Sequence, residues 1–224
     1  MVEPQREYYQ PFEGVEIRVD SEAVQVISET PLVVCSSAVV GGGVVSVRHI
    51  INMHVPKGYS KSDPAGDLEA FARRLGIMEP FVGLMTAAWT QNAKLAVARE
   101  GGIGVAVIAT VGLSNPIAAG LSAVASWAPS TINTIVLLDA RPEPGALVNA
   151  IITATEAKSL ALSEAGVKTP DGWQASGTST DAVVVAATGE GETVTFAGPL
   201  TRSGWLIARA VRAAIGSGIA GRRG

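Results

Sequence analysis

The sequence holds a single cysteine, Cys35, and so admits no intrachain disulfide. Such a chain suits a reducing compartment, and a cytoplasmic location is expected. It has only two histidines, His49 and His54, and neither a Cys-x-x-Cys pair nor a His-Glu-x-x-His run. Zinc sites are built from such groups, so no metal site of its own is expected. Histidines five apart on one strand would also point to opposite faces. No glycine is followed by Lys-Ser or Lys-Thr at phosphate-loop spacing, and Val107 stands where a dinucleotide fingerprint after Gly102 and Gly104 needs its third glycine. No cofactor is expected. Charged residues make up only 17%, with a net charge of −3. Phosphate backbones need clustered Lys and Arg, which excludes nucleic acid as an expected partner. The N-terminus lacks the basic start and apolar run of a signal peptide. From Gly101 to Leu138 no residue is charged. Asn115-Pro116, Pro129-Ser130 and several glycines nevertheless break every apolar run before the ~18–20 residues that a span requires. A membrane is therefore not an expected partner either. Aromatic residues are 5%, so the core must be built from Ala, Val, Ile and Leu.

What is present is a 224-residue chain that is 47% hydrophobic, enough to bury a core without a metal or disulfide. Alternation predicts strands at Val15–Val19, Val24–Ile27 and Leu32–Ser36. A triple glycine, Gly41–Gly43, then leads into a β-branched strand over Val44–Val55. Asp63-Pro64 reads as a helix start, with Leu68, Phe71, Ala72 and Leu75 on one stripe and Gly76 as its stop. Buried strands follow at Phe81–Ala88 and Ile103–Val111. The small-residue segment Pro116–Trp127 is expected to be helical, and Ile132–Leu138 a strand. Pro144 opens a long helix to about Glu164. Ala182–Ala187 and Thr193–Phe196 read as a hairpin around Gly189–Gly191. A last helix carries Leu206, Ile207, Ala210, Val211, Ala214 and Ile215. The order predicts an α/β fold, one domain over residues 1–215 with a frayed tail at 216–224. Its mixed β-sheet, or two stacked sheets, would be covered by helices.

Composition goes no further than this, but several segments, in order, resemble the adenosylcobinamide amidohydrolase family of corrinoid salvage enzymes. They are VCSSAVVGGG at Val34–Gly43, IIN at Ile50–Asn52, VGLMTAA at Val82–Ala88 and ATVGLSNP at Ala109–Pro116. TATEAK at Thr153–Lys158, GTSTDAVVVA at Gly177–Ala186 and AGPLTRSG at Ala197–Gly204 complete the set. The resemblance implies hydrolysis of the amide that links aminopropanol to the corrin ring of adenosylcobinamide. The products would be adenosylcobyric acid and aminopropanol, and the cobalt would belong to the substrate. It implies a corrinoid as partner and leaves a homo-oligomer open. It supplies no catalytic residue set.

The site residues are therefore read from their chemistry. Gly177-Thr178-Ser179-Thr180-Asp181 offers a close backbone approach, hydroxyls and a carboxylate ahead of a buried strand. Asp181 is the leading base, with Thr178 and Thr180 as oxyanion donors or nucleophiles and Ser179 as a substrate contact. On the long helix, Glu156 shares a polar face with Asn149 and Thr153 and is preferred over Lys158. The two stand about 200° apart and cannot enter one pocket together. Gly41 and Gly42 suit a turn or a close ligand approach. Asn52 and His54 share a strand face and could bind corrin amides or reach cobalt. Thr86, Ser114 and Asn115 end apolar runs, where open sheets place ligand sites. Cys35 lacks an activating base in sequence and reads as a small core residue. Two other functions fit the same chain: a corrinoid-binding protein without hydrolytic activity, and an amidase with another substrate.

Overall fold

The structure is a computed structural model that describes residues 7–124 and 131–221. Nine of its thirteen strands form one mixed sheet. They are β1 (Glu7–Phe12), β2 (Val15–Val19), β3 (Ala23–Ser36), β4 (Gly43–His54), β5 (Phe81–Thr86), β6 (Lys94–Glu100), β7 (Ile103–Val111), β9 (Ile132–Asp139) and β12 (Ala182–Ala187). The hydrogen-bonded order is β1-β2-β3-β12-β9-β7-β6, with β4 on the other edge of β3 and β5 beyond β4. Four short strands, β8 (Pro116–Ile117), β10 (Arg141–Pro142), β11 (Gly177–Thr178) and β13 (Thr193–Val194), pair off the main sheet. The helices are α1 (Pro64–Arg74), α2 (Pro144–Glu164) and α3 (Arg202–Ala220).

Alternation decides the layering. On β7, Val105, Val107 and Ala109 pack with Val136 and Leu138 of β9 against α2 and α3. The residues between them, Ala106, Ile108, Ile135 and Leu137, pack against Ile17, Val26, Ile50 and Leu84 of β2 to β5. α1 lays Leu68, Phe71 and Ala72 on the outer face of β4 and β5, against Ile51 and Met53. The sheet is thus folded over on itself as two stacked layers, with α2 and α3 outside one and α1 outside the other. β3 belongs to both layers. Its first half pairs β2 over Val24–Ser28, and its second half pairs β12 over Val33–Ser36. Its register with β4 breaks between Ile27 and Leu32, where Pro31 is exposed. A bulge with a proline bends a strand and lets it change layers.

Four sequence expectations change. The two predicted strands at 24–27 and 32–36 are one bent strand. Pro116 begins a short strand followed by turns rather than a helix, because β8 is taken up by β11 in an antiparallel pair; residues 125–127 of that expected helix lie outside the described residues. Gly189 and Gly191 do turn the chain, at φ 77° and 73°. But β3 and β9 already occupy both edges of β12, so the next strand leaves to pair with β10. The last helix continues through Gly216 to Ala220, with Gly218 and Ile219 buried.

Candidate active site

The C-terminal ends of β4, β5 and β7 meet the starts of β9 and β12 between the two layers, and there the apolar core is interrupted by a chain of polar side chains. Asn52 donates from Nδ2 to Thr110 Oγ1 at 3.0 Å. Thr110 in turn donates to Thr86 Oγ1 at 3.4 Å. Asn133 Nδ2 donates to Asn52 Oδ1 and to the Met85 carbonyl, both at 2.8 Å. Thr131 Oγ1 bridges Asn133 Oδ1 at 2.9 Å and the Thr180 carbonyl at 2.8 Å. Asn52, Thr86, Thr110 and Asn133 are all buried. Unpaired, each would cost about 1–3 kcal/mol, so the network is self-consistent only as a set.

The network ends at Asp181. Its carboxylate accepts the Ile132 N–H at 2.9 Å, the Thr178 N–H at 3.1 Å, the Thr178 hydroxyl, and Lys158 Nζ at 2.5 Å. The Lys158 and Asp181 side chains are 8% and 10% exposed, so the pair is shielded from solvent. Lys158 reaches it from the buried face of α2, between Ala154, Ala157 and Ala161. Its apolar stem packs among alanines while the ammonium finds the carboxylate. Gly177 makes room: a Cβ there would lie 2.4 Å from Asp181 Oδ2 and 2.9 Å from Lys158 Nζ. Ser179 and Thr180 stand exposed at the rim.

Pairing of β11 with β8 brings the segment after Ser114 and Asn115 beside this loop, with Gly177 opposite Ile117 and Thr178 opposite Pro116. At the other flank His54 closes β4. Its Nδ1 lies 3.0 Å from the Ala88 carbonyl, and its ring stacks on Trp89 with centroids 4.7 Å apart. Ala88 also donates its N–H to Thr86 Oγ1 at 3.1 Å, which ties His54 to the network.

The structure therefore gathers Asp181, Lys158, Thr178, Ser179, Thr180, Asn52, Thr86 and His54 at one end of the sheet. Glu156 is not among them: it is exposed on the outer side of α2, whereas Thr153 is buried and donates to the Ala197 carbonyl. The polar stripe through Asn149, Thr153 and Glu156 is not the face that meets the loop; the face that does carries Lys158. Gly41 and Gly42 pack elsewhere, on Phe81 and Ala38, at the far end of β5 from Thr86. Gly41 has φ 67°, and its Cβ would meet the Phe81 carbonyl at 2.6 Å. It serves the turn. His49 turns to Glu79, at 2.9 Å, on the side away from His54. Burial pushes the Cys35 thiol up, which disfavours the reactive thiolate. Among the described residues no three His, Cys, Asp or Glu side chains gather into a metal cluster. A groove of about 730 Å³ lies apart, between α1 and the Val55–Lys61 segment, floored by Met53 and Phe71 and edged by Arg74. Thr110, Thr131 and Asn133 were not singled out from the sequence. Their signal is a polar residue within an otherwise apolar strand.

The family model for adenosylcobinamide amidohydrolase matches residues 8–224. The chain belongs to that family. It is 36% identical over 162 residues to an adenosylcobinamide amidohydrolase of Methanosarcina mazei, covering 72% of this chain and 71% of the relative. An uncharacterized protein of Methanocaldococcus jannaschii is 40% identical over 88 residues, 38% of this chain and 34% of its own length. A crystal structure of a Pyrococcus horikoshii OT3 protein superposes with a TM-score of 0.49 at 11% identity, over 97% of this chain and 82% of that one. At that distance the likeness carries no functional weight. As an adenosylcobinamide amidohydrolase the chain is a hydrolase of an amide bond, and no helix among the described residues is long and apolar enough to cross a membrane.

Proposed function

We propose that the enzyme cleaves the aminopropanol amide of adenosylcobinamide at the Asp181–Lys158 centre, releasing adenosylcobyric acid and aminopropanol. The observation that carries this reading is the buried Lys158–Asp181 ion pair, its carboxylate held by three further donors beside an exposed rim of hydroxyls. An amide needs a nucleophile, stabilisation of the developing oxyanion, and a proton for the departing amine. Asp181 takes the proton of the attacking water. Thr180 and the loop amides hold the oxyanion, joined by the Thr178 hydroxyl once it turns from Asp181. Lys158 gives its proton to the amine as the C–N bond breaks. The carbonyl carbon gains the hydroxyl, the nitrogen leaves protonated, and the proton held by Asp181 returns to Lys158 across their contact. Asn115, with the exposed Ser114 and Ser179, lies where it can meet the corrin's peripheral amides, whereas Asn52 is buried and spent on Thr110 and Asn133. The enzyme works in the cytoplasm on this reading, in keeping with its one cysteine.

A second route has an observation in its favour. The Thr178 hydroxyl already donates to Asp181, so the same carboxylate could activate Thr178 for direct attack. The deciding experiment measures aminopropanol release and corrinoid affinity in Asp181→Asn, Lys158→Met and Thr178→Val. General acid–base groups are worth about 10²–10⁴-fold, so the first two variants should lose that much turnover and keep affinity. If Thr178 is the nucleophile, Thr178→Val is equally severe and the wild type yields a trappable corrinoyl adduct. Near-normal turnover in folded Asp181→Asn removes the centre from the chemistry.

A further inference from the structure

His54 has a fixed ring and a bare nitrogen. A carbonyl only accepts hydrogen bonds, so the 3.0 Å contact with Ala88 places the proton on Nδ1 and leaves the lone pair on Nε2. No described residue takes that lone pair. The ring cannot easily turn away, because Trp89 stacks on one face and Ala88 is itself bonded to Thr86. Trp89 is 55% exposed, so the stacked pair stands at the surface. An imidazole with Nδ1–H tied to a carbonyl and Nε2 open is the arrangement that metal-binding histidines adopt. Yet among the described residues no group of three or more His, Cys, Asp or Glu side chains forms around it. One protein ligand suits a metal that arrives with its other positions filled.

We propose that His54 Nε2 binds the lower axial position of the substrate's cobalt. This rests on adenosylcobinamide being the substrate. In that molecule the macrocycle supplies the equatorial nitrogens and the adenosyl carbon one axial ligand. Without a nucleotide base, the lower axial position holds only water. The exchange breaks a Co–O bond and forms a Co–N bond, the water leaves, and cobalt keeps its oxidation state. The side chain that carries the aminopropanol amide projects from this same lower face. Ligation by His54 would therefore turn the scissile amide toward the polar network that links His54 to Asp181, with Trp89 lying against the corrin edge. A pre-oriented side chain raises the effective concentration of a ligand that binds weakly when free.

The test uses the full-length protein and cob(II)inamide as a probe, read by electron paramagnetic resonance. Nitrogen on the axial position splits each cobalt line into a triplet. Protein grown on heavy-nitrogen histidine should convert the triplet to a doublet, which needs no substitution. His54→Gln should lose the splitting while equilibrium dialysis shows the corrinoid still bound, and His49→Gln should keep it. With adenosylcobinamide, binding to wild type should shift the visible band from the water-ligated to the nitrogen-ligated form. Bound corrinoid without nitrogen splitting, or splitting that survives His54→Gln, overturns the assignment; aminopropanol release then still supports the amidohydrolase reading. Absence of both binding and release would overturn that reading together with the role of His54.

Discussion

Asp181 accepts four hydrogen bonds, and its neighbours show how little space the site has to spare. Adding a methyl group at Gly177 would drive it into both members of the ion pair. Gly177→Ala should therefore lower aminopropanol release sharply and also lower the melting temperature, since overpacking a buried site costs about 1–3 kcal/mol. Cys35 should behave as an inert thiol: its alkylation at neutral pH should be much slower than that of a free thiol, and Cys35→Ser should keep turnover. Thr134 makes the opposite case. Its hydroxyl is buried without a partner. Thr134→Val removes that unmet group in the same shape, and should be neutral or stabilising, by up to about 1–3 kcal/mol in chemical denaturation. At this scale part of the cluster that the structure gathers was legible in the sequence. Asp181 stood out as a carboxylate in a Gly-Thr-Ser-Thr loop, and Lys158 as a nearby alternative. Glu156 stands on a different face of α2 from the one that meets the loop, because helical periodicity identifies faces but not which face a loop from elsewhere will meet. Asn133 and Thr110 were hidden in apolar strand runs, where a polar residue announces itself only once its partner strand is known.

Helices were more legible than strands. Asp63 caps α1 by accepting the Gly66 N–H at 2.9 Å, as the Asp-Pro pair predicts. Asp63→Ala should cost about 1 kcal/mol, which in a chain of this size lowers the melting temperature by about 2–4 °C. α1 is also pinned to the preceding segment. Asp67 accepts from Lys61 Nζ at 3.0 Å and from the Tyr59 hydroxyl at 2.8 Å. These bonds, with Lys61 first, hold the Asp67 carboxyl below its usual range, and burial and the Asp67 bond push Tyr59 up to about 12. A carboxylate with a lowered pKa stabilises the fold above its ordinary range and loses that contribution as pH falls through its folded value. Melting curves in acid should therefore show a shallower decline for Asp67→Asn than for wild type. Strand partners could not be read in the same way. Gly189-Glu190-Gly191 is a good turn signal, and it does turn the chain, but whether a hairpin forms depends on vacant edges. β12 has none. Likewise the amphipathic edge strand β6 and the tyrosine-rich β1 went unread, their alternation being too short or too polar to stand out beside the apolar runs.

For the molecule as a whole, the α/β class, the single domain and the stacked layers were accessible from composition and element order, whereas the bend of β3 that joins the layers was not. The order of strands has a consequence for how the protein is made. Among the described residues, β12 is the only strand that bonds both to the β1–β5 half, through β3, and to the β6–β9 half, through β9. It is also the last strand of the main sheet to be synthesised. Until residues 182–187 emerge from the ribosome, β3 and β9 each present an unpaired edge, and open edges of this kind invite pairing with other chains. A nascent chain arrested just before Asp181 would hold two half-sheets with neither the Asp181 carboxylate nor the strand that joins them. Closure of the sheet and arrival of Asp181 are then one late event of biosynthesis, in which the nascent chain loses both open edges at once.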